Sequence, residues 1–304
     1  MDEPNDDTGT KTFEDCRGLL FSVAYRMLGT VADAEDVVQD TWLRWSGADR
    51  AMVKDPKAYL VRIVTNTAID RLRSAQVRRE SYVGPWLPEP VLTAPDVAED
   101  VELTESVSLA MLVVLETLSP LERAVFVLRE VFDFSHAEIA TTLDRSEASV
   151  RQVAHRARQH VAERRSRFTA GRAEQRRVTE ELLSAMVGGD LDRLLAVLAP
   201  DVVLVSDGGG KRTAARRPIV GATQVGRFMA GIAQRPYDGV EQEDMTVEFV
   251  DVNGVPGVVI RGGGTVLSAM AAEVSEGRIH AIHLIANPDK LQTVAERREV
   301  PLER

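Results

Sequence analysis

Residues 135–161, SHAEIATTLDRSEASVRQVAHRARQHV, contain the start signals of two consecutive helices. Ser135 and Glu138 stand three positions apart, the spacing of a capping box at a helix N-terminus. A short helix, a turn around RSEAS and a longer second helix follow, and this is helix-turn-helix spacing. The apolar residues of the second helix fall on one stripe: Val150, Val153, Ala154, Ala157 and Val161.

The opposite face of that second helix is basic and polar. Its side chains are of types that contact phosphates and base edges: Arg151, Gln152, His155, Arg156 and Arg158. Residues 145–177 hold ten arginines against three glutamates, although the formal net charge of the chain is −10. A concentrated basic surface in an acidic protein indicates a phosphate-binding face with repulsion elsewhere. An ordinary helical hairpin with a solvated basic face is the alternative, and His155 could equally pack on a neighbour.

The chain on either side divides into recognisable parts. Apolar residues recur every three or four positions through residues 13–45, Pro56 suits the first turn of another helix, and Ser119 with Glu122 forms a second capping box. Residues 81–100 include WLPEP, whose two prolines and Trp86 predict a stiff, extended segment with an apolar anchor. After about residue 170, several helices and a run of strands separated by glycine turns predict a small α+β domain.

Composition narrows the class of protein. A length of 304 residues suggests two or three domains. Cys16 is the only cysteine, which excludes an intramolecular disulfide and a cysteine-based zinc site. The five histidines show no metal-ligand spacing, so we expect no metal and no cofactor. The N-terminus is no signal peptide, and no apolar run approaches the roughly 20 residues of a membrane span. We expect a soluble, cytoplasmic protein.

Four stretches in order resemble the extracytoplasmic-function RNA polymerase sigma factors: DAEDVVQDTWLRW (33–45), YLVRIVTNTAIDRLRS (59–74), LSPLERAVFVLRE (118–130) and FSHAEIATTLDRSEASVRQVAHRARQHV (134–161). WLPEP (86–90), DGGGK (207–211) and NPDKL (287–291) further resemble the subgroup with a fused SnoaL-like domain. The resemblance implies a multidomain fold, with two all-α sigma domains, the second carrying the helix-turn-helix, followed by an α+β SnoaL-like cone with a curved antiparallel sheet. The expected divisions are a first sigma domain (1–80), a Pro-rich linker (81–103), a second sigma domain (104–169), a regulatory domain (170–293) and a tail (294–304).

The resemblance also implies partners, RNA polymerase core and promoter DNA, and the residues that contact them. Core polymerase would bind the second helix through Asp36, Gln39, Asp40, Trp42 and Arg44. The loop 46–55 would read the −10 element, and the following helix would contact DNA through Asn66, Asp70, Arg71 and Arg73. The five basic and polar residues on the second helix of the helix-turn-helix would read the −35 element. For Asp70 and Arg73, a surface pair at i,i+3 spacing is an equal alternative.

The three short motifs are far apart in sequence, and one interdomain contact built from all of them is the economical explanation. Its residues would be Trp86, Leu87, Glu89, Asp207, Lys211, Asn287, Asp289 and Leu291. We expect the glycines of DGGGK to form a tight turn with Asp207 and Lys211 presenting opposite charges at its ends. We also expect Glu89 to pair with Lys211, and Asn287 to cap a short final helix. The fused domain would then take the regulatory place of a separate anti-sigma factor.

In two alternatives the C-terminal domain acts on a small molecule, either by binding it or by converting it. The chain could be a helix-turn-helix regulator whose SnoaL-like domain senses a small ligand, or that domain could retain cyclase- or isomerase-type activity. The candidate polar groups are Asp207, Asp251, His280 and His283. A deep pocket lined by Phe228, Met229, Phe249 and Met270 would favour both alternatives. We expect regulation rather than catalysis, and the sequence leaves the promoter, the signal and the oligomeric state open.

Overall fold

In the computed structural model, the chain is described over residues 5–79, 81–93, 106–164, 170–298, 300 and 302, with the backbone alone for 5–8 and 76–78. It folds as two compact units. The helical unit comprises Met1–Glu80, Leu112–Arg165 and Pro301–Arg304, and the mixed unit comprises Ser81–Met111 and Ser166–Val300. The linker with WLPEP therefore belongs to the same unit as the C-terminal domain.

Leu109–Leu115 begins in the mixed unit and ends in the helical one. Six further helices lie within the described residues of the helical unit. They are Asn5–Leu28, Val31–Ser46, Pro56–Arg79, Pro120–Phe126, His136–Leu143 and Glu147–Arg164, with a 3-10 turn at Arg50–Met52 and a π-helical turn at Val127–Val131. The first three helices pack on one another, and Pro56–Arg79 also packs on His136–Leu143.

Local sequence explains where these helices begin and end. Both predicted capping boxes are present, at Ser119 with Glu122 and at Ser135 with Glu138, and each satisfies backbone groups that a helix N-terminus leaves open. Asp144, with φ of 52°, ends the first helix of the helix-turn-helix in the left-handed conformation that Asp tolerates. The five residues of the predicted apolar stripe are all buried on Glu147–Arg164, so this helix presents its polar face outward.

The described residues of the mixed unit include three helices that pack on a six-stranded sheet, besides a short helix near the end of the chain. The three packed helices are Arg172–Val187, Leu191–Val197 and Ala222–Ala233, and the strands are β1 (Leu198–Asp207), β2 (Ile219–Val220), β3 (Thr246–Val252), β4 (Val255–Gly262), β5 (Thr265–Ser275) and β6 (Arg278–Ile285). The strand order is β2-β1-β6-β5-β4-β3. All neighbours are antiparallel except β1 and β6, which pair in parallel.

Hairpin turns and one apolar layer hold this sheet together. Asn253-Gly254 and Glu276-Gly277 have positive φ at both residues (51° and 79°, 50° and 72°), as tight hairpin turns matched to the strand twist require. The helices pack on one sheet face around a buried core that includes Leu182, Met229 and Ile282. A 3-10 turn at Pro288–Lys290 and a helix at Gln292–Ala295 follow β6.

Membrane-spanning helices and metal-binding clusters are both absent from the described part of the chain. No helix there combines the length and the apolar character needed to cross a bilayer. No group of three or more His, Cys, Asp or Glu side chains in these residues is arranged to hold a metal ion.

Candidate nucleic-acid interface and linker-binding site

The polar face of Glu147–Arg164 lies open to solvent. Its five predicted −35 residues are all exposed: Arg151, Gln152, His155, Arg156 and Arg158. Arg151 pairs with Glu147 one turn earlier, and Arg158 pairs with Glu130 at 2.7 Å. Both arginines remain more than half exposed, so these are surface ion pairs of about 0–1 kcal/mol that a phosphate can displace.

The predicted −10 residues on Pro56–Arg79 do not form one open face. Asp70 and Arg73 are exposed and pair with each other at 3.0 Å. This is the surface pair at i,i+3 spacing that was the alternative to DNA contact for these two residues. Arg71 donates to Asp33 at 2.8 Å and also pairs with Asp36. Those two carboxylates raise the pKa of Arg71 despite its partial burial.

Asn66, the fourth of these residues, is half-buried and bonded within the protein. Its amide nitrogen donates to the backbone oxygen of Arg62 at 2.8 Å and to that of Thr142 at 3.0 Å. In the preceding loop, Asp49 caps the 3-10 turn and Met52 is 77% exposed. The loop therefore presents an apolar side chain that nothing in the sequence reasoning had singled out.

The predicted polymerase-facing residues lie on Val31–Ser46. Asp36, Gln39, Asp40 and Arg44 are exposed, and Trp42 is half-buried with its ring 5.0 Å from that of Phe13. Between them Leu43 is 60% exposed. The result is an apolar spot bordered by charges, which is a common composition for a protein-binding surface.

Asp207 is the centre of a linker-binding site within the mixed unit. It ends β1, and its side chain is fully buried. Its carboxylate accepts hydrogen bonds from the Tyr82 hydroxyl at 2.6 Å and from the Leu87 amide at 2.9 Å. It also accepts from the Gly209 amide at 3.0 Å and from Lys290 Nζ at 2.7 Å. At this end of the glycine turn the charge of Asp207 is therefore directed into the protein, where the linker and Lys290 bind it.

Lys290, in the NPDKL motif, binds both Asp207 and the linker. Only 6% of it is exposed, and its ammonium group also donates to the backbone oxygen of Leu87. The same group lies 3.9 Å from the centroid of the Trp86 ring and 5.0 Å from that of Tyr82. The ring of half-buried Trp86 thus lies against a cation, and cation–π attraction adds to the ion pair of Lys290 with Asp207.

Tyr82 joins the same network through Asn287. Its hydroxyl donates to Asp207 and accepts from Asn287 Nδ2 at 2.8 Å. Burial and the hydrogen bond to Asp207 raise the pKa of Tyr82, so the hydroxyl stays protonated and remains a donor. Asn287 Oδ1 caps the 3-10 turn by accepting from the Asp289 amide, as predicted, although this turn is 3-10 rather than α.

The remaining motif residues are placed differently from the expected pairing. Lys211 bonds both carboxylate oxygens of Asp289, at 2.7 and 2.6 Å, on an exposed surface. Glu89 is buried and accepts from Thr293 Oγ1 at 2.7 Å. The predicted Glu89–Lys211 pair is therefore wrong, because the buried carboxylate has a neutral donor and the exposed lysine has a nearer acid. Leu291 is buried.

Gly209 shows why DGGGK requires glycine. Its φ is +60°, and a Cβ added there would overlap the amide group of Asn287. Glycine adopts this conformation without strain and lets the Asn287 side chain approach the turn. The predicted glycine turn is thus packed directly against the side chain of Asn287.

A second attachment holds the linker farther along. Asn253, fully buried in the β3–β4 turn, accepts from the Val91 amide at 3.1 Å and donates to the Val107 backbone oxygen at 2.9 Å. Leu92 forms a bridge with Val252 at the edge of the sheet. In the sequence Asn253 precedes Gly254, a pair typical of a tight turn, and nothing there indicates that its side chain binds the linker. Tyr82, Lys290 and Thr293 were also missed, although Lys290 lies inside the NPDKL motif.

The candidate polar groups of the enzymatic alternative do not converge. Asp207 binds the linker, while Asp251 on β3 pairs with Arg172. His280 and His283 lie on β6, three strands from β3, which corresponds to about 14 Å at ~4.8 Å per strand. His283 is buried 3.8 Å from Glu273, and burial lowers its pKa to about 4.

The deep pocket that would have favoured both alternatives is not formed by its four candidate residues. Met229 and Met270 are buried in the core, Phe228 packs against it, and Phe249 is 40% exposed on the edge strand. Phe249 borders a surface cavity of about 100 Å³ beside Arg172 and Arg176. Small-molecule sites are generally about 300 Å³ or larger, so this cavity is too small to support either alternative.

Known proteins match this chain over most of its length. The family model Sigma-70 region 2 matches residues 12–78, and Sigma-70, region 4 matches residues 108–161. ECF RNA polymerase sigma factor SigJ of Mycobacterium tuberculosis is 40% identical over 302 residues, covering 95% of this chain and 96% of that protein. Probable ECF RNA polymerase sigma factor SigI of the same species is 32% identical over 280 residues, covering 90% and 92%.

A solved structure supports the same relationship. The crystal structure of Mycobacterium tuberculosis extracytoplasmic function sigma factor SigJ superposes with a TM-score of 0.73 at 37% identity, covering 93% of this chain and 98% of that one. With the helical unit and the six-stranded α+β unit, this confirms the predicted fold class. The sheet differs from the expected antiparallel arrangement only in the parallel β1–β6 pair.

Proposed function

Because this chain belongs to the extracytoplasmic-function RNA polymerase sigma factors, we propose that it directs core RNA polymerase to specific promoters and that its own C-terminal domain regulates this step by binding the linker. The proposed division is a first sigma domain (1–80), a linker (81–103), a second sigma domain (104–169), a regulatory domain (170–293) and a tail (294–304). The regulatory domain would act where other systems use a separate anti-sigma factor.

Promoter contacts are proposed for two faces. Arg151, Gln152, His155 and Arg156 would contact the −35 element, with Arg158 on phosphate, because their side chains are exposed on the second helix of a helix-turn-helix. Asp70 and Arg73 would contact DNA near the −10 element. Asn66 and Arg71 would have to exchange their present partners, Thr142 and the pair Asp33 and Asp36, to do the same.

Core polymerase is proposed to bind Val31–Ser46. The supporting observation is the exposed Leu43 among Asp36, Gln39, Asp40 and Arg44, with Trp42 half-buried at its edge. An apolar centre with a charged border gives both desolvation energy and orientation on binding.

The observation that carries the regulatory proposal is the buried contact of Leu87 with Asp207 and Lys290. The Leu87 amide donates to Asp207, and its carbonyl oxygen accepts from Lys290. Both backbone groups of one linker residue are therefore bound by a buried ion pair of the C-terminal domain. A linker held in this way cannot rearrange freely on polymerase, so the domain acts as a brake.

Promoter-directed transcription with purified core polymerase tests both parts of the proposal. The full-length chain should support initiation, and Lys290→Met should raise it several-fold at limiting polymerase because the linker is released. Lys211→Met is the matched control, since it removes an exposed ion pair of the same domain. Absence of initiation by the wild-type chain from any promoter would refute the sigma function. Unchanged or reduced initiation by Lys290→Met would refute the brake alone.

A further inference from the structure

The outer side of β3 in the mixed unit is only partly paired. β3 stands last in the strand order, next to β4. Within the described residues, the linker bonds only the far end of this strand. The Thr93 amide donates to the Asp251 backbone oxygen at 3.2 Å, and the Asn253 amide donates to that of Val91 at 2.9 Å. In the described part of the chain, the remainder of β3 (residues 246–250) is a free edge.

Two residues of this free edge direct their backbone groups outward. Backbone groups alternate in direction along an antiparallel strand, so Val247 and Phe249 point the same way as the Asp251 oxygen, away from β4. Among the described residues, neither has a hydrogen-bond partner on that side. Pro95, which would come opposite Phe249 if the linker kept its register, has no amide to donate. Unpaired groups of this kind are a template for a strand from another chain.

The side chains of the free edge also suit pairing. Val247 is 43% exposed and Phe249 is 40% exposed. The free edge contains neither lysine nor proline, two residues with which proteins commonly block an edge strand. Its single charge, Glu248, is bound by Arg261 at 3.1 Å and by Arg297 at 2.8 Å. A strand laid alongside would therefore meet apolar groups and a neutralised carboxylate.

Opposite charges flank the two ends of the free edge. Glu243 and Asp244 precede it and are exposed. Near its other end, the Arg176 guanidinium group lies 6.0 Å from the ring centroid of Phe249. Arg176 is 62% exposed, and its pair with Glu180 is a surface pair that is worth little. When two such edges run antiparallel, the acidic end of each lies towards the cationic end of the other.

We propose that the free edge binds the free edge of a second copy of this chain, antiparallel about a two-fold axis at Glu248. Val247 of each copy then faces Phe249 of the other, and each of these pairs exchanges both backbone hydrogen bonds. An aromatic side chain also packs beside a β-branched one across the strands. The two Glu248 carboxylates approach at the axis with their own arginines bound. Two-fold pairing closes after two copies, so it gives a dimer rather than a filament.

The size of the contact sets its strength. A stable interface buries roughly 800 Å² on each partner, and pairing over residues 246–250 buries less, so we expect a dissociation constant of about 10–100 µM. Sedimentation equilibrium of the full chain between about 5 and 200 µM should then show the mass rising from that of one chain towards that of two. A chain that keeps the monomer mass throughout would overturn the proposal. Polymerase and promoter are absent from this experiment, so that result leaves the proposed sigma function standing.

Hydrogen exchange locates the contact. At the low concentration the Val247 and Phe249 amides should exchange faster than those of Glu248 and Val250, which point towards β4. At the high concentration their exchange should slow by about three- to sevenfold, as the monomer fraction falls. Protection of both amides at the low concentration would show that another segment of the same chain occupies the edge, and would overturn the dimer.

A backbone substitution with a matched control tests the pairing itself. Val247→Pro removes an amide that points away from β4, and it does so twice in each dimer, so association should weaken about tenfold or more. Val247→Thr keeps the amide and the β-branched shape, and its association should stay within a few-fold of the wild type. Equal association of Val247→Pro and the wild type, or an equal loss in Val247→Thr, would overturn the proposal.

Charge reversal gives a second test that does not alter the strand. The combined variant Glu243→Lys/Asp244→Lys and the variant Arg176→Glu should each associate several-fold more weakly than the wild type, because like charges then lie across the axis. An equimolar mixture of the two variants juxtaposes opposite charges at both ends and should regain wild-type association. A mixture that associates no better than either variant alone would contradict two-fold pairing at this edge, whether or not Val247→Pro folds.

Discussion

Substitution of Asp207 by Asn should release the linker while leaving the C-terminal fold in place. The carboxylate is fully buried and accepts four hydrogen bonds, two of them from linker residues Tyr82 and Leu87. An amide can accept through one atom only, and it leaves the Lys290 ammonium group, 6% exposed, without its carboxylate. Removing one partner of a buried ion pair costs about 3–5 kcal/mol.

Hydrogen exchange measures that loss directly. The Leu87 amide is protected by its bond to Asp207, so a loss of about 3–5 kcal/mol in local opening free energy accelerates its exchange by about 10² to 10³-fold or more. Amides within β4 and β5, which bond to neighbouring strands, should exchange as in the wild type. The contrast between linker and sheet identifies release of the linker rather than unfolding of the domain.

A matched control and a double variant complete this experiment. Asp289→Asn removes an exposed pair with Lys211, worth about 0–1 kcal/mol, and should leave Leu87 protected. Combining Asp207→Asn with Lys290→Met removes the unpaired cation and should restore part of the protection. Unchanged Leu87 exchange in Asp207→Asn, or equal acceleration in Asp289→Asn, would show that the Asp207 carboxylate does not hold the linker.

Three other outcomes follow from single residues. Burial lowers the pKa of His283 to about 4. Between pH ~6.5 and about 4, this histidine is therefore protonated in the unfolded chain but neutral in the folded chain. The unfolding free energy should fall by about 3 kcal/mol between pH 7 and 4, and denaturant titrations of His283→Leu should lack this component. Arg156→Ala should weaken polymerase-dependent binding to a −35 element several-fold in filter-binding assays, with a smaller salt dependence if its contact is to phosphate. Gly209→Ala, forced to φ of +60° against Asn287, should lower the melting temperature by several degrees.

Local signals in the sequence predicted the helical elements well. The capping boxes at Ser119 and Ser135 depend on residues three positions apart, and the buried stripe of Glu147–Arg164 depends on spacing within one helix. These rules concern residues within a single helix, so they can be applied without knowledge of the tertiary fold. The parallel pairing of β1 with β6 joins strands about 80 residues apart, and no local pattern specifies it.

The sequence predicted that WLPEP, DGGGK and NPDKL form one contact, but not which of their residues pair. The three motifs do meet, but their pairing depends on which side chains are buried. Asp207 lies inside and requires Lys290, whereas Lys211 lies outside and takes Asp289. Burial of a charge is decided by tertiary packing, and a sequence motif alone does not reveal it. The roles of Tyr82 and Asn253 could not be read for the same reason.

Asn253 binds the linker residue Val91 and the more distant Val107 through different side-chain atoms, so substitutions at this position separate the two contacts. Its side chain accepts from Val91 and donates to Val107, and its φ of 51° suits Asn or Gly. Asn253→Gly keeps the turn and should expose the Val91 amide to faster exchange. Asn253→Asp keeps the acceptor for Val91 but loses the donor to Val107. The aspartate variant retains the side-chain oxygen that accepts from the Val91 amide, whereas the glycine variant lacks it. Equal Val91 exchange in the two variants would therefore show that the turn backbone, rather than the side chain, holds the linker.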